Sequence, residues 1–206
     1  MEQKKARICA IGKKMWQRGY VAANDGNISV RVGQGEYLIT PAGVSKGEMT
    51  PEMILHVNEE GRLLSPAEGR PSSEWPMHRQ CYALRPDVFA VVHAHPVAAT
   101  AFACARQPLD EPILGEFLMT LGAVPVAPYG RTGTMEIPKA IAPLLPGHNG
   151  ILLANHGALT MGPDLETAYH RMESLEHTAR VYLALRQLGG GAFLTPEEAA
   201  ALRSQP

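Results

Sequence analysis

The sequence predicts a single α/β domain, and three observations carry that expectation. Short β-rich stretches bounded by turn residues alternate with segments of helical periodicity along most of the chain. The length of 206 residues fits one domain and buries a substantial core without disulfides or a structural metal. No linker, internal repeat or low-complexity tract divides the chain, so residues 1–206 are read as one domain.

Residues 4–19 form the first expected helix, because Ile8, Ile11, Met15 and Trp16 recur at near-helical spacing and Gly19 ends the run. Such a helix covers one face of a sheet. Residues 27–32, 36–40 and 54–57 read as the strands of a meander, followed by the turn Asn58-Glu59-Glu60-Gly61-Arg62 and an extended Leu63-Leu64. A helix over 74–84 follows, with Ser72 and Ser73 as cap candidates and Pro76 in the first turn, where a missing amide proton costs nothing. Then come a buried strand over 88–95, a helix over 97–105, a strand over 123–128, a helical stretch over 135–145 and a strand over 150–155. A long helix over 165–188 carries Leu165, Met172, Leu175, Ala179, Tyr182 and Leu185 on its apolar positions. It stops at Gly189-Gly190-Gly191, read as a hinge, and Thr195-Pro196-Glu197-Glu198 opens a short terminal helix.

Composition excludes several classes of function. Hydrophobic residues at 45% and charged residues at 19% are ordinary for a globular protein and rule out a disordered or fibrous chain. With 19 basic and 20 acidic residues nothing suggests a nucleic-acid partner, so any phosphate bound is small and local. Cys9, Cys81 and Cys104 form neither a disulfide framework nor a Cys-x-x-Cys clip, which points to a reducing cytoplasm. The N-terminal apolar stretch is too short for a secretory signal, and no run approaches the ~18 apolar residues of a membrane span.

Chemistry concentrates in the histidines. In an extended strand alternate side chains share a face, so His93 and His95 project together while Ala94 faces away. His156, following the apolar run Gly150-Ile151-Leu152-Leu153-Ala154, offers a third nitrogen for the facial set that holds a catalytic zinc. A lone histidine is usually a surface or core residue. Here each stands at the polar end of an apolar strand, beside Pro96 or Gly157, where a pocket can open. The histidines at 56, 78, 148, 170 and 177 lack this setting, and His170, Glu173 and His177 read as a solvated helix face. Asn24-Asp25-Gly26-Asn27-Ile28-Ser29, Thr40-Pro41-Ala42-Gly43-Val44-Ser45-Lys46-Gly47 and Pro71-Ser72-Ser73-Glu74 offer backbone amides and hydroxyls suited to a small anion.

The ordered succession Gly26-Asn27-Ile28-Ser29, Thr40-Pro41-Ala42-Gly43, Ser72-Ser73-Glu74, His93-Ala94-His95-Pro96, Ala127-Pro128-Tyr129 and Asn155-His156-Gly157 resembles the zinc-dependent class II aldolase and adducin family. Within it the resemblance is to the L-fuculose-1-phosphate aldolases and covers a core of about residues 5–188, leaving 189–206 as hinge and C-terminal tail. It implies a three-layer α/β/α domain around a central, largely antiparallel sheet, assembled as a homotetramer with active sites between subunits. By position it implies His93, His95 and His156 as ligands of one Zn2+ per subunit, with Glu74 as catalytic base and a fourth ligand in the resting site. The implied phosphate pocket is Gly26, Asn27, Ala42, Gly43, Ser72 and Ser73, with Lys46 as a candidate further contact.

The implied reaction cleaves a ketose 1-phosphate to dihydroxyacetone phosphate and a small aldehyde through a metal-stabilised enediolate. These aldolases use a tyrosine as proton donor across a subunit boundary, near the segment here reading Pro112-Ile113-Leu114-Gly115-Glu116-Phe117-Leu118. No tyrosine stands there. Glu116 is the only ionisable side chain in that stretch, read either as the substitute acid amid the apolar bulk of Leu114, Phe117 and Leu118 or as a salt-bridged structural glutamate. Pentulose-5-phosphate 4-epimerisation, decarboxylation of a sugar-acid phosphate and dehydration of methylthioribulose 1-phosphate need the same zinc and enediolate and stand as alternatives. A non-catalytic adducin-like binding module is the alternative of another class, and the complete metal set argues against it.

Overall fold

A computed structural model describes residues 1–203 of the chain. Helix α1 (Glu2–Gln17) buries Ile8, Ile11 and Met15 and leads into an antiparallel meander of β1 (Asn27–Gly33), β2 (Glu36–Ile39) and β3 (Leu55–Asn58). Helix α2 (Trp75–Leu84) returns to β4 (Ala90–Ala94), which continues into α3 (Val97–Cys104) and α4 (Gly115–Thr120). Strand β5 (Val126–Ala127), α5 (Glu136–Ile141), the hairpin of β6 (Gly150–Leu153) and β7 (Gly157–Gly162), α6 (Leu165–Gln187) and α7 (Pro196–Arg203) complete the order.

The strands form one sheet in the order β3-β2-β1-β4-β7-β6-β5, with antiparallel neighbours throughout except the parallel pair β5 and β6. Alternation along each strand sorts its side chains between two apolar layers. Ile28, Val30, Val92 and Leu152 join Ile8, Phe102 and Met172 on the face covered by α1, α3 and α6. Val91, Ile151, Leu159 and Met161 join Trp75, Met77 and Ile137 on the face covered by α2 and α5. The result is the α/β/α sandwich with a mostly antiparallel sheet that the sequence resemblance implied.

The differences from expectation have local causes. Strand β7 lies outside the expected elements, because glycines stand at both of its ends; it pairs with β6 and, on its other edge, with β4. The strand expected over 123–128 shrinks to Val126–Ala127, since the flanking Pro125 and Pro128 have no amide proton to give to a ladder. Helix α5 stops at Ile141 and is followed by a separate 3₁₀ turn at Leu145–Gly147, because Pro143 blocks its continuation. Helix α4 is six residues long, too short to announce itself by periodicity.

Helix α3 begins directly after the His95-Pro96 corner, and its first turn is held by a side chain from α6. Both carboxylate oxygens of buried Glu176 accept hydrogen bonds, from Ala98 N at 3.2 Å and Ala99 N at 2.9 Å, while Arg180 Nε donates to the same carboxylate at 2.7 Å. Glu176→Ala strands two helix amides without acceptors. It is predicted to destabilise the protein by about 3 kcal/mol, seen as a lower urea midpoint.

Candidate active site

Strand β4 lies between β1 and β7 and sets His93 opposite Asn27 on one side and Leu159 on the other. His93 is fully buried, and its Nδ1 donates to Ala158 O at 2.9 Å. A carbonyl only accepts, so the proton sits on Nδ1 and Nε2 keeps its lone pair. His95, just past the strand end, places its Nδ1 3.3 Å from Asp25 Oδ2, which gives it the same tautomer. The two Nε2 atoms then face each other at 3.1 Å. His156 stands in the turn between β6 and β7, after Asn155 at φ 53°, with its ring centroid 4.6 Å from that of His93 and 5.0 Å from that of His95.

One ligand atom from each of His93, His95 and His156 lies within 4.8 Å of the others, so the three form a group able to hold a metal ion. The donor chemistry fits such an ion: two anchored imidazoles aim lone pairs at one point, and a cation there removes their mutual repulsion.

Glu74, at the N-terminal boundary of α2, completes the cluster. Its Oε2 lies 3.1 Å from His93 Nε2 and accepts from Asn27 Nδ2 at 2.9 Å, while its Oε1 lies 3.2 Å from His156 Nε2. Burial pushes the Glu74 carboxyl up, but His93, His156 and the Asn27 amide together outweigh it and hold the group well below the usual carboxylate range. Burial, reinforced by His93, lowers His156 to about 4 and lowers His95 as well.

Two glycines let loops approach this centre. A Cβ on Gly157 would lie 2.5 Å from Ala94 O and from His95 Cδ2, and one on Gly26 (φ 72°) would lie 2.9 Å from His93 O.

A cavity of about 400 Å³ opens beside the cluster, lined by Gly26, Asn27, Ala42, Gly43, Ser72 and Ser73 together with Glu74, His95 and His156. Every residue expected in the phosphate pocket therefore borders one space with Glu74, His95 and His156. Asn27, however, has its carboxamide committed to Glu74 and to His78, whose Nε2 lies 2.5 Å from Asn27 Oδ1.

Lys46 departs from its expected role. It is 1% exposed and does not line the cavity; its Nζ donates to Asn24 O at 3.1 Å and Val44 O at 2.5 Å, tying the two loops from behind. Glu116 is exposed in the first turn of α4 and lies outside the cavity. Phe117 and Leu118 are buried in the protein interior, and Leu114 packs against the core, so the expected apolar surround of Glu116 does not form within the chain. Sequence reasoning also misses Asp25 as the partner of His95, Arg70 and Thr132 in the cavity wall, and His78 behind Asn27. The Glu74-x-x-x-His78 spacing, one helical turn, is the available signal for the last of these.

The sequence profile of the Class II Aldolase and Adducin N-terminal domain matches residues 6–183. The 3-oxo-tetronate 4-phosphate decarboxylase of Escherichia coli K12 is 36% identical, covering 94% of this chain and 92% of its own. A 5-methylthioribulose-1-phosphate/5-deoxyribulose-1-phosphate aldolase of Rhodospirillum rubrum is 33% identical, over 84% of this chain and 77% of its own. Among solved structures, the L-fuculose-1-phosphate aldolase of Thermus thermophilus superposes with a TM-score of 0.79 at 33% identity, over 92% of this chain and 97% of that one.

Metal content is the first check of this site. Purified protein is expected to carry about one divalent ion per chain, and His156→Ala to lose it while staying folded, as read by metal content and circular dichroism; full metal retention removes His156 from the ligand set. Acid supplies a second check. Burial, with His93 adding and Glu74 opposing, pushes His78 down to about 3 from its ordinary 6.5, so the unfolded chain binds a proton that the folded chain refuses. The stability this group confers is complete above its ordinary pKa and is lost as pH falls towards 3. Urea midpoints measured over that window should fall, and fall less steeply in His78→Gln.

Proposed function

The chain belongs to the class II aldolase and adducin family, and from that membership and the site's geometry we propose that it is a metal-dependent lyase acting on a phosphorylated sugar acid. It breaks the bond between the carboxylate and the carbon beside a ketone, releasing carbon dioxide and dihydroxyacetone phosphate. The observation that carries this reading is Glu74: one half-buried carboxylate lies against His93 and His156, with Oε2 held by Asn27 and Oε1 without a hydrogen-bond partner.

The cavity wall suits such a substrate. Backbone amides of Gly26 and Gly43 and the hydroxyls of Ser72 and Ser73 receive the phosphate, whereas the Ala42 amide is spent on Arg70 O at 2.9 Å. Arg70, the only lysine or arginine lining the cavity among the described residues, faces the second anionic group. His93, His95 and His156 would hold a zinc ion, which would supply positive charge beside the substrate's ketone. As carbon dioxide departs, the bonding electron pair moves towards the ketone, and Glu74 Oε1 delivers one solvent-derived proton to the carbon left behind. The departing group has no proton to give up. This agrees with a cavity whose only other carboxylate among the described residues, Asp25, is paired with His95.

Retro-aldol cleavage of a ketose 1-phosphate is the second reading, favoured by the same carboxylate, which would protonate the same carbon. It requires a further group to take the hydroxyl proton of the departing aldehyde half. The exposed position of Glu116 suits a contribution from a neighbouring subunit, and homotetrameric assembly with intersubunit sites belongs to this reading.

Incubation of the zinc-loaded protein with a four-carbon 3-oxo sugar-acid phosphate, and separately with ketose 1-phosphates, decides between them. Carbon dioxide released in step with dihydroxyacetone phosphate is the expected result; aldehyde release without carbon dioxide overturns it in favour of the second reading. Glu74→Gln should retain the metal and lose about 10²–10⁴-fold in turnover. Near-normal turnover would take the proton transfer away from Glu74.

A further inference from the structure

Helix α2 and strand β1 share a repeat. Four helical residues advance about 6.0 Å and two strand residues about 6.8 Å, so a stripe of every fourth residue on α2 stays in step with alternate residues on β1. Glu74, His78 and Tyr82 form the helix stripe; Asn27 and Ser29 form the strand stripe. Between them runs an unbroken series of hydrogen bonds in the interior: Tyr82 Oη to Ser29 Oγ at 2.7 Å, Ser29 Oγ to His78 Nδ1 at 2.7 Å, His78 Nε2 to Asn27 Oδ1 at 2.5 Å and Asn27 Nδ2 to Glu74 Oε2 at 2.9 Å. Asn27, Ser29, His78 and Tyr82 are all buried.

The direction of every bond in the series is determined. The group of Asn27 that meets an ionised carboxylate must be its NH₂, so its Oδ1 needs a donor, and His78 supplies Nε2–H. Burial keeps His78 neutral with a single N–H, so its Nδ1 is an acceptor. Ser29 therefore donates to it and accepts from Tyr82. Reversing any member sets two acceptors or two donors against each other in the interior, which costs more than a missing bond at the surface.

We propose that His78 is a positioning residue: acting through Asn27, it pins Glu74 Oε2 and leaves Oε1 as the atom that exchanges a proton with the substrate. The inference rests on the reading of Glu74 as proton carrier. His78 borders neither the cavity nor the metal-ligating atoms, so its effect falls on turnover, leaving substrate affinity and metal content alone.

The test is exchange of the hydroxymethyl protons of dihydroxyacetone phosphate with D₂O, followed by proton NMR on zinc-loaded protein, with kcat and KM taken separately. In His78→Gln the side-chain amide N–H stands in for Nε2–H, and exchange should stay within about threefold of wild type. His78→Asn imitates the other ring nitrogen and leaves Asn27 Oδ1 without a donor. Its kcat for exchange should fall about 10- to 100-fold, at unchanged KM and zinc content. Equal rates in the two variants, or a change in KM in place of kcat, overturn the proposal. If His78→Asn does not fold, Ser29→Ala takes its place: without the hydroxyl the tautomer is no longer imposed, exchange should drop severalfold, and wild-type exchange in that variant overturns the proposal. Absence of exchange in the wild-type protein is a different result, because it removes the proton-carrier role of Glu74 itself.

Discussion

Two nitrogen lone pairs face each other across 3.1 Å between His93 and His95, and the site is built around keeping them there. Neither ring can turn away without loss. His93 would abandon Ala158 O in the middle of the sheet, where a lost hydrogen bond cannot be replaced by water, and His95 would abandon Asp25. The hairpin that carries His156 reaches the cluster only because Gly157 has no Cβ to strike His95. An uncompensated arrangement of this kind costs stability, which the large apolar layers on both faces of the sheet offset, and a bound cation turns the repulsion into coordination.

The same division between rigid backing and reactive front recurs around the cavity. The loops that carry Gly26 and Gly43 hold no regular structure of their own at those residues. Lys46 joins them from beneath through the carbonyls of Asn24 and Val44. Its burial lowers the ammonium to about 8, with Asp25 opposing, so the charge is retained at neutral pH at some cost. A buried cation satisfied by two carbonyls, with Asp25 already engaged by His95, leaves positive potential under the cavity, suited to the anionic substrate proposed.

Residues whose placement depends on a single element were legible in the sequence, and those that depend on the register between two elements were not. His93 and His95 follow from the two-residue period of a strand, and His156 from the apolar run before it, because each needs only its own segment. His78 shows no special setting in the sequence, since its partners lie on β1 and the match between α2 and β1 is invisible until the sheet is assembled. Asn27 reads as a phosphate contact because the motif containing it is a loop motif; in the fold its side chain faces the helix layer and is spent on Glu74. Leu114, Phe117 and Leu118 read as the wall of a pocket, yet α4 turns Phe117 and Leu118 inward and leaves Glu116 exposed. The fold itself was largely legible, for its layers follow from alternation. Strand β7, flanked by glycines, was concealed because its pairing on both edges stabilises a segment with little propensity of its own.

What the departing group requires is the physical difference between the family's lyase reactions. In a retro-aldol step the leaving aldehyde must lose a hydroxyl proton as the bond breaks, so the far side of the cavity needs a group to take it. In a decarboxylation the leaving group is already anionic and departs neutral, so the far side needs only to hold a carboxylate until the bond breaks. The wall of this cavity carries Arg70 and Thr132, side chains suited to holding an anion. As proposed, the two reactions converge on the same carbon and the same product, with Glu74 as the proton carrier in each. Within such a scaffold a change of chemistry therefore asks nothing new of β4, its histidines or the α2–β1 hydrogen-bond series, and falls to the loops that meet the departing group.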